Sequence, residues 1–373
     1  MSADLRPAWA EVSKAALAEN YARLSEIAAP ASVMAVVKAD AYGHGAVTTA
    51  GVLYDAGCRR FAVALVDEGV ELRRAGIDGE ILVLSEVPPE TLDVARAEEI
   101  SVTVYSPAAA RLASAQPEGL LIHLKLDTGM YRVGARLEDL EELAVLLRGR
   151  EVQGFWSHFA VADEDSAESR DFTALQLGRF EEGIARLAEL GITPGERHIA
   201  NTAGLLYYPA SRFDRVRVGL GIYGYHPGSD RAGVQLVPAL SLVSKVAFVK
   251  EVDRGERPSY GRRRALPAHS KVATVPIGYA DGVPRALFAG GAEVLISGRR
   301  YPLAGMVTMD QLLIDLGPGS EVRPGDEVVL IGASGGERVG ADEWARLSGT
   351  ITWEILCGIS KRIPRRLVEE GRG

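Results

Sequence analysis

Five apolar residues, Val33 to Val37, run directly into Lys38, which is followed by Ala-Asp-Ala-Tyr-Gly-His-Gly at 39–45. On a strand buried on both faces, that ammonium is either costly or led out to solvent along its own stem. A desolvated lysine has a lowered pKa and attacks aldehydes, the chemistry of Schiff-base formation with an aldehyde cofactor. The small, glycine-rich residues behind it suit close approach of backbone to ligand. Further on, His198-Ile-Ala-Asn201-Thr202 and Arg217-Val-Gly219-Leu220-Gly221 set a helix-start hydroxyl beside backbone donors. These residues read either as a phosphate cup or as an N-cap with a glycine-rich turn. Ser157-His158-Phe159 and Asp127-Thr-Gly-Met-Tyr131-Arg132 end two more apolar runs with polar groups. A lone histidine there is more often structural. The weight lies in several runs presenting polar groups at the same end.

What must position these residues is an alternation of strands and helices. Short β-branched runs lie at 33–39, 60–65, 80–86, 101–106, 121–127, 152–159, 197–201 and 215–222. Stretches of helical period separate them, such as Ser13–Ala28 and the longer Phe172–Leu190, with Leu175, Phe180, Ile184 and Leu187 along one face. Alternation of this kind means a parallel sheet, and eight repeats are the count of a closed (β/α)8 barrel. The rival is an open doubly wound sheet, and no GxGxxG follows the first strand to support its dinucleotide-binding form. In a barrel, functional residues sit at the carboxyl ends of the strands, where all the candidates above fall. After about residue 233 the pattern becomes strands at 242–252, 271–278, 292–298, 312–316 and 327–332, joined by Gly- and Pro-rich turns, with a short helix at Asp342–Ser348. The expected layout is an N-terminal barrel over 10–232 and a predominantly β domain over 233–373, with residues 1–9 packing beside the latter.

Composition narrows the function classes. The 373 residues, 47% apolar and 25% charged, are those of a globular chain of about two domains. A net charge of −8 argues against a nucleic-acid surface or an anionic-membrane surface. Two cysteines and six histidines, all scattered, provide neither a disulfide framework nor a metal set. No secretory signal opens the sequence and no apolar run approaches about 20 residues, so a cytoplasmic enzyme of small molecules is expected.

The segment VVKADAYGHG (36–45) resembles the cofactor-lysine motif of alanine racemases. The likeness continues through WAEV (9–12), HLKLDTGM (123–130), SHFA (157–160), HIANTAG (198–204), RVGLGIYG (217–224), SYG (259–261), GYADGVPR (278–285) and MVTMDQ (306–311). The resemblance implies a pyridoxal 5′-phosphate enzyme with a barrel and a β domain, interconverting L- and D-alanine and supplying D-alanine for peptidoglycan. It implies that Lys38 forms the imine and is one base. Tyr260 is implied as the second base on the opposite face, entering from the partner subunit of a homodimer. A cationic chain from Tyr260 to His158 and Arg217, with His198 behind, is implied to favour the phenolate, and Arg217 to face the pyridine nitrogen. Tyr42, Asn201, Thr202, Gly219 and Leu220 are implied around the cofactor, and Arg132 at the substrate carboxylate. Lys125 is the implied carbamylation site, Met309 and Asp310 the partner segment near the carboxylate, and Tyr279 an entrance residue. Two positions depart from the family. Tyr131 stands where a small residue is usual. Trp353 stands where a tyrosine usually reaches the phosphate and borders the pocket.

Other readings are a racemase of serine or of broader specificity, a barrel decarboxylase, and a non-catalytic protein that binds the same cofactor. Decarboxylases of this kind set a carboxylate against the ring nitrogen, where Arg217 stands here. The non-catalytic proteins lack a second domain with Tyr260 and MVTMDQ.

Overall fold

The computed structural model describes residues 7–372. Each of the eight apolar runs forms a strand, and all eight belong to one parallel sheet: Ser32–Val36, Arg60–Val63, Glu80–Val83, Ile100–Val104, Ile122–Lys125, Val152–Trp156, Glu196–His198 and Arg215–Val218. The first seven strands pair each with the next in sequence, and the first also pairs with the last, Arg215–Val218, so the ladder is open only between the seventh and eighth. Between these two, Asp214 N–H donates to Arg197 O at 3.2 Å and Arg217 N–H to Ala200 O at 2.9 Å, which bridges the gap. Apart from polar residues such as Glu80, His123, Lys125, Arg197 and Arg217, the strands are largely apolar because a closed parallel sheet has both faces covered. The fold is therefore a (β/α)8 barrel followed by a separate sheet domain.

Helices alternate with the strands, and their starts are legible. Ser106 accepts a hydrogen bond from Ala109 N at 3.1 Å, ahead of Pro107 in the first turn. Ser166 does the same for Ser169 N at 3.0 Å and starts the longest helix, Ala167–Glu189, earlier than expected. The buried face of that helix also differs from the expected one. It carries Ser169, Thr173, Gln176, Phe180, Gly183 and Leu187, while Leu175 is exposed. A buried glutamine displaces a leucine from the inward face because it serves polar loops, described below.

Clustered by contacts, Leu17–Ala41 and Ala46–Leu236 make the barrel unit, and the chain through Ala16, Tyr42–Gly45 and everything from Val237 on make the other. The barrel boundary expected at residue 10 falls within the strand Ala8–Ser13, which pairs with Leu240–Lys245 and Arg365–Val368 in the second unit. Of the expected packing of residues 1–9, residues 1–6 lie outside the described residues. Tyr42–Gly45 joins the second unit through Gly43. A Cβ there would lie 2.3 Å from Leu356 O, and Arg365 Nε donates to Gly43 O at 2.9 Å.

That unit holds a seven-stranded sheet and a three-stranded one. The run expected as one strand at 242–252 is two, Leu240–Lys245 and Phe248–Val252, in different sheets. The short strands Arg299–Pro302, Glu337–Val339 and Arg365–Val368 and the helix Thr352–Gly358 were not anticipated; the strands are charged and too short to show a period. Among the described residues no helix is long and apolar enough to cross a membrane.

Candidate active site

Arg217 ends the last barrel strand fully inside the protein. Its Nη1 donates to His198 Nδ1 at 2.8 Å and His198 O at 3.0 Å; its Nη2 donates to Ser157 O at 2.6 Å, Ile199 O at 3.2 Å and His158 Nδ1 at 3.2 Å. The ends of two neighbouring strands, Val152–Trp156 and Glu196–His198, thus hold one guanidinium. Burial, and then the charge of Arg215, lowers its pKa to about 9, so it remains a cation at neutral pH.

A guanidinium only donates, so His158 Nδ1 accepts and the neutral ring carries its proton on Nε2. Burial, followed by the charges of Arg217, Lys125, Arg132 and Lys38, holds His158 well below the ordinary histidine range. Within the expected chain the formal charge sits on Arg217, and His158 is held neutral. The same causes show what the fold has assembled, since four cations from separate elements converge on this histidine. Such a site calls for an anionic ligand.

Lys38 opens a turn in which Ala39, Asp40, Ala41 and Tyr42 all have φ between 52° and 55°. Four consecutive left-handed residues cost roughly 1–2 kcal/mol each. Offsetting bonds surround the turn. Ala39 N–H donates to Glu68 Oε1 at 2.7 Å, Ala46 N–H to Asp40 Oδ1 at 2.8 Å and Ala41 N–H to Val37 O at 2.9 Å. The strained turn is where Lys38 leaves its strand, and no residue type in it announces the conformation. Burial pushes the Tyr42 phenol far above its usual range, so it stays a neutral hydroxyl.

Lys125 is buried at the end of its strand with Nζ 4.2 Å from the centre of the Trp156 ring, over which Arg217 also lies at 4.5 Å. Burial, then Arg217 and Arg132, brings its pKa down to about 7. Arg132 is exposed on the loop that follows. That loop begins as an Asx turn, Asp127 Oδ1 accepting from Gly129 N at 2.8 Å and Met130 N at 2.9 Å. Tyr131, the departure noted above, has φ 54° and is exposed.

Sequence reading named Thr128 and Ser157 at strand ends without giving them a role, and missed Gln176, which organises this end with them. Thr128 Oγ1 meets Ser157 Oγ at 2.8 Å. Gln176 Nε2 donates to Thr128 Oγ1 at 3.2 Å and His158 O at 3.0 Å, and its Oε1 accepts from Ala160 N at 2.9 Å. Gln176 lies on the same helical face as Phe180, the one available signal, but a polar residue there reads as solvent-facing.

Thr202 starts the helix Thr202–Tyr207, with Asn201 Oδ1 as its cap on Gly204 N at 2.9 Å. Thr202 Oγ1 accepts from Gly219 N at 3.2 Å and Gly221 N at 3.4 Å. These bonds tie the turn carrying Gly219 and Leu220 to the helix start, and leave the hydroxyl proton to donate elsewhere.

The second unit gathers its own candidates. Tyr279 N–H donates to Thr308 O at 3.0 Å and Ala280 N–H to Met309 O at 3.0 Å, which zips Tyr279 against Met309. Ser259 Oγ donates to Met306 O at 2.6 Å, bringing Tyr260 to the same segment. Arg362 holds Asp310 at 2.7 Å and buried Asp281 at 3.5 Å. Tyr260 is 70% exposed and Met309 54%, so both side chains stand out from their unit. Trp353 is half-buried on the helix Thr352–Gly358.

A barrel whose carboxyl end offers a lysine at a strained turn, a hydroxyl-and-glycine cup and a buried arginine defines a barrel enzyme for an anionic, lysine-linked ligand. The comparisons with known proteins specify which. Residues 12–227 match the model of the alanine racemase N-terminal domain and 239–367 that of the C-terminal domain. The alanine racemase of Symbiobacterium thermophilum is 42% identical, covering 97% of both chains, and that of Carboxydothermus hydrogenoformans 40%, covering 97% of this chain and 99% of the other. Among solved structures, alanine racemase from Bacillus anthracis with bound L-Ala-P has TM-score 0.90 at 39% identity, covering 97% of this chain and 95% of that one. Alanine racemase from E. faecalis has TM-score 0.91 at 34% identity, covering 98% and 99%. The chain belongs to the alanine racemase family, and is an enzyme of the pyridoxal phosphate-dependent amino-acid racemase class.

Proposed function

We propose that the chain interconverts L- and D-alanine with pyridoxal 5′-phosphate, using one base on each face of the substrate α-carbon. The buried Arg217, fixed by the ends of two other strands, carries this reading. The residues fit the cofactor: Lys38 would hold its aldehyde carbon, and Tyr42, Asn201, Thr202, Gly219, Leu220 and Trp353 its phosphate side. Arg217 and His158 would hold the ring side. When bound, the cofactor supplies a conjugated ring that delocalises the electron pair left at the α-carbon. Arg217 cannot readily protonate a ring nitrogen, so that delocalisation stays modest and return of a proton is favoured over transamination.

Lys38 takes or returns the α-proton on one face, and Tyr260 of the partner subunit does so on the other. A phenol with a reference pKa of about 10 needs help as a base. His158 offers its Nε2–H as a donor to a phenolate, backed by the Arg217 charge. Arg132 positions the substrate carboxylate, with the partner's Met309 and Asp310 nearby and the partner's Tyr279 at the entrance. Lys125, at about 7, has a neutral fraction able to add carbon dioxide. Its carbamate would replace a cation beside Arg132 and Arg217 by an anion that holds them. The active form is a cytoplasmic homodimer with two shared sites, supplying D-alanine for peptidoglycan.

The test is enantiomer interconversion over a panel of amino acids by purified full-length protein. Alanine is expected to lead serine and longer side chains. Interconversion of none of them would overturn the proposal.

A further inference from the structure

Behind Arg217 the polar contacts do not stop at His198. His198 Nε2 lies 3.3 Å from His123 Nδ1, and His123 Nε2 lies 3.5 Å from Glu80 Oε1. His123 is 1% exposed and His198 fully buried. Glu80 is clamped at the opposite, amino-terminal end of the barrel by Arg215, whose Nη1 and Nη2 donate to Oε1 at 2.6 Å and Oε2 at 2.8 Å. A cavity of about 370 Å³ opens there, with Glu80, His123 and Arg215 in its wall.

We propose that His123 and Glu80 are positioning residues for Arg217: a one-way hydrogen-bond chain Arg217→His198→His123 sets the tautomer of each imidazole. Its far end, His123 Nε2, makes no hydrogen bond of its own among the described residues but faces the Glu80 carboxylate at 3.5 Å. The direction follows from the two ends. A guanidinium only donates, so His198 Nδ1 must accept and its proton must sit on Nε2. That Nε2–H then donates to His123 Nδ1, which places the His123 proton on Nε2, facing Glu80. An ionised carboxylate only accepts, so the chain ends without conflict. Reversing either imidazole would set N–H against N–H, at Arg217 or between the two rings.

The surroundings support this order. Burial keeps both imidazoles below the usual histidine range and neutral. Burial would raise the Glu80 pKa, but the nearby His123 and the Arg215 guanidinium bonded to its carboxylate hold it down at about 2. The Trp156 ring stacks on His198 at 5.9 Å and 5° and fixes its plane. Gly154 makes the room for His123: a Cβ there would lie 2.2 Å from His123 Nδ1. Gly154 has no left-handed φ to excuse a glycine, so the imidazole itself is the reason for it.

The chain's effect on turnover rests on the racemase reading, but the tautomers do not. Full-length protein with its cofactor, labelled with ¹⁵N in its six histidines and assigned by single substitutions, reports them by long-range ¹⁵N–¹H spectra. His198 and His123 are both expected as Nε2–H tautomers, unchanged between about pH 7 and 8. A proton on Nδ1 of either ring would overturn the proposal, even if the protein racemises alanine. Gly154→Ala, which displaces His123, is expected to shift the His198 signals. It should lower kcat roughly ten- to hundredfold, as loss of outer hydrogen-bond partners does, with KM within about twofold. Glu80→Gln keeps an acceptor oxygen and is expected to retain more kcat than Glu80→Met. A folded Gly154→Ala with unchanged His198 signals and unchanged kcat, or equal kcat in the two Glu80 variants, would also overturn it.

Discussion

Lys38 is the residue on which the proposed chemistry depends, and its assignment has a direct check. Borohydride reduction of the holoenzyme followed by peptide mapping should label Lys38 alone, and Lys38→Ala should lose both the label and turnover in both directions. A label on Lys125, the other lysine at a strand end here, would reassign the site. Trp353 raises a second question at this scale. Its indole keeps the bulk of the usual tyrosine but has one N–H donor at a different reach. Trp353→Tyr is expected to tighten cofactor binding about three- to tenfold, through one better hydrogen bond to a charged group. Titration of apo-enzyme measures this. Unchanged affinity with an unchanged alanine-to-serine ratio of kcat/KM would assign Trp353 to packing alone.

The turn after the first barrel strand carries a prediction about strain. Ala39 is exposed and held at φ 53°, a conformation that glycine adopts without penalty. Ala39→Gly should therefore stabilise the protein, by about 0.5–1 kcal/mol in urea unfolding. Destabilisation would mean that the turn stores no strain at this residue. The long helix Ala167–Glu189 carries another. Gln176 is fully buried and serves Thr128, His158 and Ala160 together. Gln176→Ala should cost about 2–4 kcal/mol, because it strands buried polar groups. Through the Arg132 loop it should also raise KM for alanine more than it lowers kcat. Loss of stability with unchanged KM would confine Gln176 to a structural role.

At the scale of the whole molecule the question is whether two chains share a site, as proposed. Tyr260 is 70% exposed on the second unit, consistent with a residue that serves a neighbour. Lys38→Ala and Tyr260→Phe subunits are each expected to be nearly inactive alone. If sites are shared, random mixing of two-fold dimers restores one intact site per heterodimer, about a quarter of wild-type activity. Absence of recovery after verified subunit exchange would mean that each chain completes its own site.

Much was legible in the sequence. Eight short strand-like runs alternating with helical stretches pointed to a parallel barrel, since that alternation means a parallel sheet and eight is the count that closes it. The barrel in turn placed Lys38, Lys125, His158, His198 and Arg217 at strand ends. The resemblance assigned their roles, and the family follows from both. Tertiary structure alone decided the rest. The left-handed turn after Lys38 comes from bonds to Glu68 and Asp40, not from local propensity. The inward face with Gln176 was misread because burial of a polar side chain depends on partners from other elements. The neutrality of His158 and the path from Arg217 to Glu80 depend on which polar atoms meet inside the barrel, information carried by long-range packing and absent from any single segment.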